Sequence, residues 1–292
     1  MNAVITFPRA PLLSVRGLSV AFSTETGMHE AVRGVSFDLF GNERLAVVGE
    51  SGSGKSITFR ALMGLLPPQA RIQGEAWLAG NAAHPRPQPL LGRSERDHDK
   101  LRGRRIGMVI QDPCQGLDPM RDIGHQLDEM LRLHAGIGRQ EARERSLALL
   151  EEVGIREPAR VVRQYPHQIS GGMGQRVMIA MALAGEPEIL IADEATSSLD
   201  FLLRDAILEL LDRERQTRHM GLVLISHDLE LVARHADRVL VMYAGRILET
   251  IEGYAVDEAR HPYTRGLLAA LPDLARAGLP LDILERDPAW RI

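Results

Sequence analysis

One segment combines glycines, a lysine and a serine in a spacing that binds phosphate. Residues 49–56 fit the pattern G-x-x-x-x-G-K-[ST], between a predicted strand and a predicted helix. Glycines let the backbone curl so that several N–H groups point at one anion, and the helix N-terminus adds its positive end. This phosphate loop predicts a nucleoside triphosphate site, against the alternative of a chance glycine-rich turn. Its predicted ligands are Gly49, Glu50, Ser51, Gly52, Ser53, Gly54, Lys55 and Ser56.

Two side chains of this loop have predicted roles beyond the backbone cradle. The ammonium group of Lys55 would bring a mobile positive charge to the β- and γ-phosphates. The hydroxyl group of Ser56 would be a ligand of Mg²⁺. We therefore expect a nucleoside triphosphate and Mg²⁺ as the bound groups.

Two carboxylates follow the apolar run 189–192. Such a run predicts a buried strand, and the strand would deliver Asp193 and Glu194 to its C-terminal end, where ligands of open α/β sheets bind. Asp193 would hold Mg²⁺ through water, and Glu194 would orient and polarise the attacking water. Alone, the pattern also fits a solvated strand end, but together with the phosphate loop it predicts a catalytic role.

Ser170, Gly171 and Gly172 precede a stretch that is compatible with a helix, residues 177–183. A Ser-Gly-Gly start exposes backbone N–H groups to an anion. Taken alone, a plain helix N-cap is the simpler interpretation.

Hydrophobic patterning predicts the elements that must position these groups. An antiparallel strand pair is predicted near the N-terminus, and apolar strands alternating with helices predict a parallel sheet. The predicted fold is α/β, a P-loop NTPase core with a parallel sheet, an antiparallel β subdomain and a helical insertion. Strands are predicted at 12–22, 31–39, 44–49, 105–110, 189–193 and 222–226, helices at 56–66, 122–135, 139–153 and 201–218, and a surface loop at 81–100.

Bulk properties limit the classes of function. A net charge of −4 gives no global case for nucleic-acid binding, and we expect none. No stretch approaches the roughly 20 apolar residues of a membrane-spanning helix, and we expect no secretory signal. The single cysteine, Cys114, is expected to be a small apolar filler.

The motifs together resemble those of ABC-transporter ATPase subunits, in family order over residues 12–250. The family's motifs correspond here to the phosphate loop, Gln111, the signature 169–173, Asp193-Glu194, the D-loop Ser198-Leu199-Asp200 and the switch His227. The resemblance implies a flexible arm at 1–11, an ATPase domain at 12–252 with a helical subdomain at about 112–180, and a C-terminal extension at 253–292.

A narrower resemblance is to the ATPase subunits of oligopeptide, dipeptide and nickel importers. It rests on 111–113 (QDP), 176–183 (RVMIAMAL), 261–265 (HPYTR) and 267–272 (LLAALP). It implies an importer of peptides or of a related small solute, such as nickel or a metal chelate. The alternative is an ATPase of a non-transport complex such as phosphonate breakdown. DNA-repair relatives form a third class, but they carry zinc cysteines or long coiled coils.

The resemblance also implies a head-to-tail pair of subunits with two ATPs between them. Ser170, Gly171, Gly172 and the D-loop Asp200 would contact nucleotide, with the signature acting on ATP bound to the partner. His227 would contact the γ-phosphate, and Gln111 would touch Mg²⁺ or the water. Phe22 is the candidate adenine platform, with a core strand Phe as the equal alternative.

The implied assembly contains a paralogous ATPase subunit, two transmembrane permeases and an extracytoplasmic solute-binding protein. Its location would be peripheral, on the cytoplasmic face of the inner membrane. Four features depart from the family pattern. Ala195 stands where proline is usual, Gly174 stands where arginine is common, and Phe201-Leu202-Leu203-Arg204 replaces a more polar segment. The fourth is the lack of a cysteine-rich iron–sulfur segment that some relatives carry, since Cys114 is the single cysteine.

Overall fold

The computed structural model describes residues 10–25, 27–197, 199, 201–270 and 287–291. It divides into two compact units: residues 1–98 with 227–292 form the first, and residues 99–226 form the second. Most of the predicted arm (1–9), Ser198 and Asp200 of the D-loop, and the 271–272 end of the extension motif lie outside the described residues.

Strands and helices alternate through most of the chain. The strands are β1 (Leu13–Thr24), β2 (Gly27–Leu39), β3 (Arg44–Val48), β4 (Arg71–Leu78), β5 (Gln88–Pro89), β6 (Ile106–Val109), β7 (Ile189–Asp193), β8 (Gly221–Ser226), β9 (Arg238–Tyr243) and β10 (Arg246–Glu252). The α-helices are α1 (Lys55–Leu62), α2 (Glu95–Asp99), α3 (Pro113–Gly116), α4 (Ile123–Met130), α5 (Arg139–Glu152), α6 (Pro158–Val161), α7 (Gly171–Leu183), α8 (Phe201–Arg218), α9 (Leu229–His235) and α10 (Pro262–Ala269).

The first unit contains an antiparallel sheet in the order β2-β1-β4-β5. Leu13 of β1 lies opposite Leu39 of β2 and Leu78 of β4, and all three side chains are buried. The core face of β1 carries Leu13, Val15, Leu18 and Val20, and its alternation breaks between Val15 and Leu18, where the register shifts.

The same unit pairs β3 in parallel with β9, and β10 lies antiparallel to β9. Asp237 joins the starts of β3 and β9, because its carboxylate accepts hydrogen bonds from the backbone N–H of Arg44 at 2.8 Å and from its guanidinium group at 2.6 Å. This pairing fixes the strand that leads into the phosphate loop.

In the second unit β6, β7 and β8 pair in parallel, with Ile106 opposite Ile189 and Ile189 opposite Gly221. The guanidinium group of Arg105 binds both carboxylate oxygens of Glu188 at 2.6 Å, just before β6 and β7 begin. Helices α3 to α7 lie between β6 and β7 along the chain. Every residue of β7 and β8 is buried, as the apolar runs predicted.

The predicted α/β fold is confirmed, with both an antiparallel sheet and parallel strand pairs. In the described residues no helix is both long enough and apolar enough to cross a membrane.

Three local predictions were wrong. The 81–100 loop contains β5 and α2, because Leu90 is fully buried and Pro89 pairs at a sheet edge, a position that tolerates proline. Helix α1 ends at Leu62 rather than 66, since Gly64 has φ 64°. The 122–135 helix is α-helical only to Met130 and continues as a π-helical turn to Ala135.

Candidate functional site

The phosphate loop connects β3 to α1, as predicted. Gly54 is the N-cap of α1 with φ 101°, and Gly49 has φ 152°. A Cβ atom on Gly49 would lie 2.0 Å from the carbonyl oxygen of Met242, and one on Gly54 would lie 2.5 Å from that of Ala31. Glycine is required at both positions because neighbouring backbone leaves no room for a side chain.

Lys55 is buried beneath its own loop. Its ammonium group donates hydrogen bonds to the carbonyl oxygens of Gly49 at 2.7 Å and Glu50 at 2.8 Å. Ser53 is also buried, and its hydroxyl oxygen has no hydrogen-bond partner. A buried cation beside an unsatisfied hydroxyl donor matches the acceptor-rich oxygens of a phosphate group.

A cavity of about 440 Å³ adjoins the loop within the first unit. It carries charged side chains of both signs from β2 and the loop. Phe22, the predicted adenine platform, is half-buried and lies opposite His29 in the β1–β2 pair. The lining residues are His29, Glu30, Ala31, Arg33, Glu50, Ser51, Gly52, Ser53, Tyr243 and Ala244.

The end of β7 presents the two predicted carboxylates in the second unit. Asp193 is 3% exposed and ends the strand. Glu194 follows with φ 51°, a conformation uncommon for residues other than glycine, and its N–H donates to the carbonyl of Ile225 at 3.0 Å. The hydroxyl of Ser197 in turn donates to the carbonyl of Glu194. Backbone strain of this kind concentrates at functional sites.

Helix α7 begins as the Ser-Gly-Gly pattern predicts. Ser170 is the N-cap, and its hydroxyl accepts a hydrogen bond from the N–H of Met173 at 3.3 Å. A Cβ atom on Gly171 would meet nothing within 4 Å, so this start of the helix is open. Leu203, from the segment that departs from the family pattern, lies against Gly172.

Gln111 lies just beyond β6 and is exposed. The carboxylate of Asp112 caps α3 by accepting the N–H of Cys114. Cys114 is exposed, so its expected role as an apolar filler was wrong; its position in the first turn of a surface helix leaves its side chain in solvent. The departing Gly174 is buried, and a Cβ there would lie 3.0 Å from the ring of Pro113.

His227 follows β8 and is exposed, and the carboxylate of Asp228 beside it caps α9. The predicted site residues divide between the units. The first contains Phe22, the phosphate loop and His227; the second contains Gln111, Ser170 to Gly172, Asp193 and Glu194. Asp200 lies outside the described residues.

Sequence reasoning missed Tyr263. Its buried hydroxyl oxygen accepts a hydrogen bond from the backbone N–H of Glu50 at 3.2 Å, although the two residues are 213 positions apart. The His-Pro-Tyr motif at 261–263 contributed to the resemblance to the importer subfamily. The residues around it do not predict a contact with the phosphate loop.

Residues 32–197 match the family model described as ABC transporter. The chain is 46% identical to the oligopeptide transport ATP-binding protein OppD of Bacillus subtilis, over 91% of this chain and 74% of that protein. It is 44% identical to the dipeptide transport ATP-binding protein DppD of Escherichia coli, over 91% of this chain and 80% of that protein.

A solved dimeric bacterial ABC transporter cassette superimposes with a TM-score of 0.70 and 25% identity, covering 82% of this chain and 98% of the cassette. A second cassette structure, a dimer in a post-hydrolysis state bound to ADP and Pi, has the same TM-score at 24% identity and covers the same shares. The fold, the phosphate loop and these relatives agree. The chain therefore belongs to the ABC transporter family, as one of its ATP-binding and ATP-hydrolysing subunits.

Proposed function

We propose that this subunit powers an importer of peptides or of a related small solute, such as nickel or a metal chelate. The supporting observation is the identity of 44–46% to oligopeptide and dipeptide transport subunits over more than nine-tenths of the chain. These relatives give no support to a role in phosphonate breakdown.

In the proposed mechanism the phosphate loop binds the triphosphate of ATP. The backbone N–H groups of the loop and the Lys55 ammonium group bind the β- and γ-phosphates, and the unsatisfied Ser53 hydroxyl supplies a further donor. Glu194 orients the attacking water, and His227 contacts the γ-phosphate. Phosphoryl transfer needs mainly this positioning and charge neutralisation.

Mg²⁺ fits the donor set we assign to it. Ser56, Gln111 and Asp193 offer hydroxyl, amide and carboxylate oxygens, which are the hard ligands that Mg²⁺ prefers. Once bound, Mg²⁺ neutralises charge on the β- and γ-phosphates.

We further propose that the signature acts in trans. The open N-terminus of α7 at Ser170, Gly171 and Gly172 would donate N–H groups to the γ-phosphate of ATP held by a partner subunit, and Asp200 would also contact nucleotide. The solved bacterial cassette is a dimer, which supports a paired arrangement. The subfamily resemblance favours a paralogous partner over a second copy.

The remaining proposed partners are two permeases and a solute-binding protein, with the subunit peripheral on the cytoplasmic face of the inner membrane. The second unit offers a permease a groove of about 580 Å³, lined by Asp122, Asp128, Arg139 and Arg143 among others. Met120, in the loop after α3, is 82% exposed and offers an apolar contact nearby in sequence.

The test is to express the tagged subunit with the genes that neighbour its own and to purify the resulting complex. We expect two permeases and a second ATPase subunit to co-purify, and a peptide-loaded binding protein to stimulate ATP hydrolysis in proteoliposomes. A soluble complex without permeases would contradict the importer.

A further inference from the structure

The C-terminal segment reaches the phosphate loop through one aromatic side chain. Tyr263, in the first turn of α10, is fully buried, and its hydroxyl oxygen accepts the N–H of Glu50. The carbonyl group of that same peptide bond belongs to Gly49, and it accepts the ammonium group of Lys55 at 2.7 Å. The Gly49–Glu50 peptide is therefore held at both ends, by Tyr263 on one side and by Lys55 on the other.

The position of Tyr263 is itself fixed by β10. The carboxylate of Glu249 accepts the N–H groups of Arg260 at 2.7 Å and of His261 at 3.2 Å. The Nδ1 atom of His261 then accepts the N–H of Tyr263 at 3.1 Å, which caps α10. A continuous run of hydrogen bonds thus joins the sheet edge to the phosphate loop.

Aromatic packing supports the same placement. The ring centroid of Tyr263 lies 4.6 Å from that of Tyr243, which lines the cavity beside the loop. Trp290 contacts both rings edge-on, at 5.8 Å and 6.0 Å. The ring is held independently of its hydroxyl group, so the loss of the hydroxyl alone would leave the packing in place.

We propose that Tyr263 is a positioning residue for ATP binding, which sets the orientation of the Gly49–Glu50 peptide and through it the position of the Lys55 ammonium group. The C-terminal segment is then a support of the nucleotide site in this chain. The inference rests on the role of the phosphate loop in binding ATP.

The test compares Tyr263→Phe with Tyr254→Phe in the full-length chain. Tyr254 is 70% exposed and lies in the same unit, so Tyr254→Phe removes a tyrosine hydroxyl group away from the buried position of Tyr263. We expect Tyr263→Phe to raise the Kd for ATP about fivefold, equivalent to about 1 kcal/mol at 1.4 kcal/mol per factor of ten. We expect Tyr254→Phe to leave the Kd unchanged.

Two further readouts separate positioning from general stability. Amide hydrogen exchange across residues 49–55 should become faster in Tyr263→Phe without nucleotide. In the assembled complex KM for ATP should rise while kcat stays within about twofold, because Glu194 is not displaced. A fall in Tm with unchanged Kd and exchange would overturn the proposal. Absence of ATP binding by the unmodified chain would instead contradict the role of the phosphate loop.

Discussion

The ammonium group of Lys55 lies 2.7 Å from the carbonyl oxygen of Gly49, so the cation of the phosphate loop is bound by the backbone of its own loop. The contact keeps a buried charge satisfied. The phosphates of ATP carry full negative charge and are stronger acceptors than a carbonyl group. The loop therefore holds its lysine in place for an anion.

Replacing Lys55 with methionine keeps most of the side-chain volume and removes the charge. A hydrogen bond to a charged group contributes about 1.5–3 kcal/mol, so we expect ATP affinity to fall by at least about tenfold. Isothermal titration calorimetry with ATP measures this affinity. Lys100 is the other lysine of the sequence and is exposed, so Lys100→Met is the matched control and should bind ATP normally. Equal affinities for both variants would refute the role of Lys55.

A methyl group on Gly49 would collide with the carbonyl oxygen of Met242 at 2.0 Å. We expect Gly49→Ala to lower the free energy of unfolding by about 3 kcal/mol, from overpacking and backbone strain together. Denaturant unfolding of the full chain provides the measurement. Gly27→Ala separates the two causes, since Gly27 has φ 122° but nothing within 4 Å of its Cβ position. If both variants lose the same stability, the collision with Met242 is not the cause.

How far the sequence predicts this site depends on the range of the interactions. The turn at Gly49 to Ser56 was predictable because glycine spacing dictates local backbone geometry, and the N-cap at Ser170 was predictable because neighbouring residues determine it. The contact of Tyr263 with Glu50 joins residues 213 positions apart, and no local pattern encodes it. The exposure of Cys114 was also missed, since residue type alone does not say which side of a short helix faces solvent.

The pH dependence of stability tests the anchoring of the C-terminal segment by Glu249. Burial raises the pKa of this carboxyl group, but hydrogen bonds from the backbone N–H groups of Arg260 and His261 act in the opposite direction, and the pKa lies below its ordinary value of 4.5. Because the pKa of Glu249 is lower in the folded chain than in the unfolded chain, the carboxylate stabilises the folded state above pH 4.5. This contribution is lost as the pH falls through the pKa of Glu249 in the folded chain.

We therefore expect Glu249→Gln to have a lower Tm than the unmodified chain at pH 7, by a small margin because Glu249 is partly exposed. The difference should shrink as the pH is lowered below 4.5. Thermal unfolding between pH 3 and pH 7 measures it, with Glu252→Gln, on the same strand, as the control. A difference that grew towards low pH would show that the sign of the linkage is wrong.

When this subunit hydrolyses ATP, we expect Glu194 to be the residue that orients the attacking water. The most direct measurement is ATP turnover by the purified transport complex carrying Glu194→Gln. Glu186→Gln is a close control, because Glu186 is also a glutamate with positive φ, 54° against 51°, and lies at an exposed turn.

We predict that Glu194→Gln binds ATP as the unmodified complex does, while kcat falls by at least about a hundredfold, the contribution expected of a positioned general base. Glu186→Gln should retain full turnover. Undiminished hydrolysis by the Glu194→Gln complex would show that Glu194 does not orient the attacking water.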